Sequence, residues 1–132
     1  MPSPIAIPRP GADEYFEYYD KYIRMVPGDD ALPTLAGHFA RWTPALRSLA
    51  EAQALHRYAP GKWSVKEVLG HVSDSERVFA YRLLRIARGD GTPLAGFDEK
   101  LWAANAPHHA RPLDSLPVLE QQPGWIQQQP QL

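Results

Sequence analysis

The sequence predicts an all-α protein organised around two long amphipathic helices. Apolar side chains recur at steps of three and four over residues 32–49 and again over residues 68–86, which is the spacing of one helix face. A capping box, Ser64 followed three residues later by Glu67, marks the start of the second of these helices. At 132 residues, with 44% hydrophobic and 22% charged residues, the chain has the length and composition of one small globular domain.

The first twelve residues are expected to form an extended arm. Proline fixes the φ angle and lacks a backbone N–H, and this segment contains Pro2, Pro4, Pro8 and Pro10. A short helix is predicted next, because four tyrosines share one helical face: Tyr15, Tyr18, Tyr19 and Tyr22. We interpret this face as an aromatic packing surface, since buried aromatic rings remove a large area from water.

The first long helix should follow the turn at residues 26–30, with an aspartate as its N-cap and Pro33 in its first turn. Its apolar stripe continues through about residue 55. Pro44 lies inside the stripe, where the missing donor and the ring clash cost about 3 kcal/mol unless the helix bends. We therefore expect a kink near Thr43.

The second long helix is predicted over residues 64–88, with Gly89 as its C-cap. Residues 89–100 are rich in glycine and predict a loop, at the end of which Asp98 can cap a short helix through Ala104. From Leu116 onward proline and glutamine replace the apolar period, and a long helix cannot pass these prolines. We thus expect an arm over 1–12, a partial helical domain over 13–116 and a Pro/Gln-rich irregular tail over 117–132.

Composition excludes several classes of function. The formal net charge of −1 leaves no overall field to attract nucleic acid. The chain has no cysteine, so only His, Asp and Glu could hold a metal ion. No stretch approaches the roughly 18 apolar residues of a membrane span, and there is no GxSxG, HExxH or phosphate-binding loop. We expect a soluble, cytoplasmic protein.

One titratable pair stands out on the second long helix. We interpret its core stripe as six apolar residues, Val68, Leu69, Val72, Phe79, Leu83 and Ile86. Glu76 falls in the middle of this stripe, where a carboxylate is costly to bury without a partner such as Arg47. His71 lies on the border of the stripe and can present a nitrogen to a divalent metal ion, with Asp74 and Glu76 as supporting carboxylates.

The alternative is that His71 is a hydrogen-bonded residue at the edge of the core. One histidine falls short of the three protein ligands that a catalytic metal site usually has. His108 and His109 are adjacent and follow Pro107, so we expect both to be solvated, and His38 and His56 have no helical partner. The residues alone leave both interpretations of His71 open.

Residues 58–99 carry a longer pattern: GKWS, then GHVxDxER, FAYR, ARGD and TPLxGFD. In these motifs the chain resembles the DinB superfamily, and the likeness extends less sharply from Glu14 to about Leu116. The resemblance implies an up-down-down-up four-helix bundle, often dimeric, that holds nickel or zinc between helices. It makes His71 the first metal ligand, whereas the family's other two come from an HxxxH pair that this sequence lacks. We therefore expect an incomplete bundle and a truncated or frame-shifted chain.

Three hypotheses of function follow. The first is a DinB-like metal-binding protein related to thiol-dependent transferases and metal-dependent hydrolases, with a weakly held metal and impaired activity. The second is a non-catalytic helical module that forms a homodimer through exposed apolar helix faces. The third is an inactive fragment, because half a bundle supplies little tertiary packing. Whether the chain is an enzyme stays open.

Overall fold

The computed structural model describes residues 5–120, and this part of the chain contains helices and turns but no strand. The predicted all-α class is therefore confirmed. Residues 5–120 form six α-helices in this order: α1 Asp20–Met25, α2 Ala31–Arg47, α3 Glu51–Ala54, α4 Val65–Ala87, α5 Glu99–Asn105 and α6 Pro117–Glu120. Short 3-10 turns occur at Glu17–Tyr19, His108–Ala110 and Leu113–Ser115. The two long helices of the prediction are α2 and α4.

The chain divides into two compact units, the first ending at Pro44 and the second beginning at Ala45. Pro44 lies inside α2, which continues to Arg47. The predicted continuation of this helix to about residue 55 is wrong. Ser48 donates its hydroxyl proton back to the carbonyl oxygen of Ala45 at 2.7 Å, and the backbone then becomes extended at Ala50 before α3 begins.

In the first unit, the segment before α1 is tied to the start of α2. The Ile7 amide donates to Asp30 Oδ1 at 3.1 Å, and its carbonyl accepts the Ala31 N–H at 2.9 Å. The same Asp30 oxygen accepts the Leu32 N–H at 3.2 Å, which confirms an aspartate cap for α2. The Arg9 guanidinium donates to three backbone carbonyls, that of Ile23 in the last turn of α1 and those of Val26 and Gly28 after the helix.

The tyrosine face predicted for the short helix lies at the surface. Tyr18, Tyr19 and Tyr22 are each about half exposed. They contact one another instead of a core, with the Tyr18 ring centroid 5.3 Å from that of Tyr19 and 5.9 Å from that of Tyr22. The Lys21 ammonium lies 4.5 Å from the Tyr18 ring centroid, a cation–π contact.

In the second unit, α4 packs against α6, α5 and the turn at His108–Ala110. Its buried residues are Lys66, Leu69, Gly70 and Ser73. The Ser73 hydroxyl links α4 to α6 because its oxygen accepts the Val118 N–H at 3.1 Å. The same hydroxyl donates its proton to the Leu69 carbonyl of α4 at 3.0 Å. Small side chains on this face let α6 approach closely, and its Val118 and Leu119 are buried there.

The stripe interpreted as the core of α4 is, apart from Leu69, wrong. The other five members are between 38% and 66% exposed: Val68, Val72, Phe79, Leu83 and Ile86. The apolar spacing correctly predicts a helix here, but it does not reveal which face of that helix the following segments cover. The buried side of α4 consists instead of small and polar residues, because α6 packs and hydrogen-bonds there.

The ends of α4 and α5 agree with the prediction. Ser64 Oγ accepts the Glu67 N–H at 3.2 Å and Glu67 Oε2 accepts the Ser64 N–H at 2.8 Å, which is the predicted capping box. Gly89 has a φ of 68° just after α4 ends, a left-handed conformation that favours glycine. Asp98 Oδ1 accepts the Lys100 and Leu101 N–H groups at 3.0 Å and caps α5.

Residues 117–120, the first four of the predicted irregular tail, form α6. The rest of that tail, residues 121–132, lies outside the described residues, as does the start of the predicted arm. Over residues 5–120, no helix combines the length and the apolar character needed to cross a membrane.

Candidate functional site

His71 lies in the second turn of α4 and is half-buried. Its ring packs against the indole of Trp63, with the ring centroids 5.0 Å apart and the planes tilted by 46°. Trp63 precedes the helix cap, so the capping box that starts α4 also brings this ring beside the imidazole. The histidine therefore lies at the edge of the packed region.

Asp74 follows His71 by three residues and makes two contacts with charged or titratable side chains. Its Oδ1 accepts from Arg77 Nη1 at 3.2 Å, and its Oδ2 lies 3.9 Å from His108 Nε2. Residues three or four apart on a helix share a side, so Asp74 lies on the side of α4 that carries His71, as does Glu67 of the capping box. The hydrogen bond from Arg77 would compete with a metal ion for one of the two Asp74 carboxylate oxygens.

His108 contradicts its prediction, whereas the exposed His109 agrees with it. His108 is 8% exposed and packs against α4 at Gly70, where the ring occupies the space that a Cβ atom would need. Neither ring nitrogen has a hydrogen-bond partner among the residues that the structure describes. Pro107 and the loop position suggested solvent, but the turn at His108–Ala110 folds onto the glycine of α4.

Glu76 is partly buried and lies five residues after His71. At about 100° per residue, five residues separate the two side chains by about 140° around the helix. The three candidate residues therefore do not converge from α4 onto a common point. Among residues 5–120, no three side chains of His, Cys, Asp or Glu form a group able to hold a metal ion. The described residues thus do not fit a complete metal site.

A groove of about 490 Å³ runs along α4 from Asp74 toward its C-terminal end. One wall comes from six residues of the helix: Asp74, Arg77, Val78, Tyr81, Arg82 and Arg85. The opposite wall comes from residues 93–97 of the glycine-containing loop and from Trp102 of α5. The TPLxGFD motif therefore lies across the helix that carries GHVxDxER and FAYR.

Two arginines of α4 hold this loop. Arg82 Nη2 donates to the Ala95 carbonyl at 2.8 Å, and Arg85 Nη2 donates to the Thr92 carbonyl at 2.5 Å. Arg85 Nε also pairs with Asp90 at 2.8 Å, and this hydrogen bond is the main reason why the pKa of that carboxyl is far below its ordinary range. Carbonyl partners in a loop leave no sequence pattern, so this role of Arg82 and Arg85 is visible only in the structure.

The groove and His108 were both missed from the sequence. A signal for the groove was present, since Asp74, Arg77, Tyr81 and Arg85 recur at helical steps along one side of α4. No local pattern distinguishes a buried His108 from the exposed His109, because only the packing of the returning chain separates them.

Comparison with known proteins identifies a family but no individual relative. A family model described as DinB superfamily matches residues 34–123, more than half of the chain. Neither the curated proteins nor the solved structures give a significant match. The matched range contains His71, Asp74, Glu76, His108 and the whole groove.

Proposed function

The chain belongs to the DinB superfamily, and on this premise we propose that it binds a divalent metal ion, nickel or zinc, weakly through His71. It would then be related to the family's thiol-dependent transferases and metal-dependent hydrolases, with their activity impaired. The observation that supports the proposal is the position of His71, half-buried beside Trp63 in the family's GHVxD motif. A cytoplasmic location is part of the proposal and agrees with the absence of cysteine.

The impairment follows from the ligand set. A catalytic zinc site usually has three protein ligands and an open position, whereas the described residues offer His71 with Asp74 on the same side of one helix. A metal ion supplies a Lewis acid that lowers the pKa of a bound thiol or water. This chain's own residues would contribute an imidazole, held in place by the Trp63 ring, and a carboxylate shared with Arg77.

A titration with metal tests the proposal. Untagged, metal-free protein is titrated with Ni²⁺ while the fluorescence of Trp63 is followed against a Trp63→Phe reference, because the indole lies 5.0 Å from the His71 ring. We expect weak quenching that disappears in His71→Ala and persists in His56→Ala, which removes an exposed histidine. Equal quenching in both variants, or none in the unaltered protein, would refute metal binding at His71.

The exposed stripe of α4 favours a second candidate function, a non-catalytic module that associates as a homodimer. Five apolar side chains along one helix face remain open to solvent, and such a surface is normally buried against another chain. On this alternative the retained α4 motifs serve folding and not chemistry, and metal would have no effect on association.

Sedimentation at several concentrations tests this alternative. We expect a concentration-dependent dimer that Phe79→Lys together with Leu83→Lys converts to a monomer. Met25→Lys, an equally drastic change of an exposed side chain in the other unit, should leave the dimer intact. A monomer at every concentration would exclude the association module, whereas metal binding at His71 is decided by the titration alone.

A further inference from the structure

We propose that the groove along α4 is a binding site for a small organic anion with an aromatic body, and that Arg77 is its anion anchor. This goes beyond the proposed function, because the site uses no metal ion and does not include His71. It rests on four observations about the groove: its size, its charge, the way its loop is held and its exposed rings.

The groove has the size of a small-molecule site. Its volume of about 490 Å³ falls within the roughly 300–1,000 Å³ that is typical of ligand pockets. It is long enough to follow α4 from Asp74 to Arg85, three turns of helix, with the loop as its far wall. A flat aromatic acid would fit along this length.

The charge of the lining favours an anion. Three arginines line the groove, Arg77, Arg82 and Arg85, against one carboxylate, Asp74. Asp90 pairs with Arg85 from outside the lining, which leaves three guanidinium groups facing two carboxylates. A cleft whose walls carry an excess of positive charge attracts anionic ligands.

Arg77 is the arginine positioned to meet the ligand. Arg82 and Arg85 donate to loop carbonyls and thereby hold the wall in place before any ligand arrives. The Arg77 side chain is 65% exposed, and its Nη1 makes a hydrogen bond of 3.2 Å to one oxygen of Asp74. A guanidinium has five N–H donors, so a ligand carboxylate can bind Arg77 while Asp74 keeps its contact.

Aromatic rings in the groove can pack against the aromatic body of the ligand. Phe97 and Trp102 stack with centroids 4.6 Å apart and planes tilted by 36°. Tyr81 and Trp102 are exposed within the lining, and the Arg85 guanidinium lies 5.7 Å from the Tyr81 ring centroid. Exposed rings beside fixed cations can stack on a flat apolar body and cover it from water.

Titration with benzoate tests the proposal. The full chain is titrated in the presence of EDTA, so that a metal site plays no part, and binding is followed through the backbone amide resonances of the residues that line the groove. We expect saturable shifts around the groove, about tenfold weaker binding of the uncharged benzamide, and about tenfold weaker binding of benzoate to Arg77→Gln. Arg88→Gln, which removes an exposed arginine beyond the groove, should bind benzoate like the unaltered protein.

A second variant keeps the test decisive if Arg77→Gln disturbs the fold. Trp102→Leu retains an apolar residue in α5 and removes the stacking partner of Phe97, so it should weaken both benzoate and benzamide. Equal affinity for benzoate and benzamide, or equal affinity in Arg77→Gln and Arg88→Gln, would overturn the anion site. If His71→Ala still binds benzoate, the groove site is independent of the proposed metal site, and the two proposals can be judged separately.

Discussion

The imidazole of His108 lies directly against the backbone of Gly70, in the space that a side chain at residue 70 would occupy. This contact explains a glycine within a long helix, where glycine is less favourable than alanine by about 1 kcal/mol. The glycine of the GHVxD motif is therefore explained by packing, and the residue it accommodates comes from far along the chain.

Gly70→Ala should destabilise the protein by about 1–2 kcal/mol, because overpacking the buried ring outweighs the gain in helix propensity. Gly37→Ala in α2, where among the described residues no atom beyond the helix's own backbone lies within 4 Å of the added Cβ, should be neutral or stabilising. Urea unfolding of the full chain measures both. The explanation would be wrong if the two variants had equal stability, and Gly70→Ala combined with His108→Ala should recover much of the loss.

Ser64→Ala should cost about 1 kcal/mol, because its hydroxyl oxygen accepts an amide that no other helical group can satisfy. Ser75→Ala in the middle of the same helix should cost little or nothing, since alanine is the better helix former there. Thermal unfolding monitored by circular dichroism compares the two. A larger loss for Ser75→Ala would argue against the cap as the source of stability.

The Arg57–Glu67 ion pair should stabilise α4 near neutral pH and lose this contribution in acid. The hydrogen bond from Arg57, and to a smaller extent the Ser64 N–H, lowers the pKa of Glu67 below its ordinary 4.5. A lowered carboxyl pKa contributes stability that is present above 4.5 and is lost as the pH falls through the folded-state pKa. The difference in urea midpoint between the unaltered protein and Glu67→Gln should therefore be largest near neutral pH and shrink below 4.5.

Glutamine at residue 67 keeps an oxygen for the Ser64 amide, so the comparison isolates the charge. Arg57→Gln should show the same loss of acid dependence, and the double variant should add little to either single change. A difference that stayed constant with pH would mean that the ion pair does not contribute.

Lys66 is a buried lysine whose ammonium group has two partners. It is 3% exposed, its ammonium contacts the Glu51 carboxylate, and it donates to the Arg111 carbonyl at 2.6 Å. Glu51→Ala should therefore lower stability more than Lys66→Met, because it leaves a buried charge without its carboxylate, whereas methionine fills the space without one. The N–H of Leu113 and the Lys66 ammonium lower the pKa of Glu51, so this contribution also fades in acid.

Urea midpoints at neutral pH test the order of the two variants. Glu51→Gln provides the matched control because its amide oxygen can still accept the Leu113 N–H, which Glu51 Oε1 accepts at 2.8 Å. We expect it to fall between the unaltered protein and Glu51→Ala. If Lys66→Met were less stable than both Glu51 variants, the lysine itself would stabilise the fold, and the expected order would be wrong.

Elements whose signals lie within a few residues were predicted well. The Ser64 box and the Asp98 cap each act over three residues, so the sequence places α4 and α5 correctly. The continuation of α2 past Arg47 was wrong because apolar spacing persists where the backbone turns. The candidate site divides in the same way. The sequence predicts the motif and helix position of His71 and the row of groove residues on α4, but not the burial of His108 or the loop that forms the far wall of the groove.

Local chemistry decided the helical class, the positions of the caps and the family to which the chain belongs, since each depends on neighbours a few residues apart. The packing of distant segments decided which side of α4 is buried. The helix offers an apolar side and a side of small and polar residues, and the returning chain covers the second because Ser73 and Gly70 allow backbone and ring to approach. Periodicity describes a helix alone, whereas burial depends on which partner arrives and where its hydrogen bonds can be made.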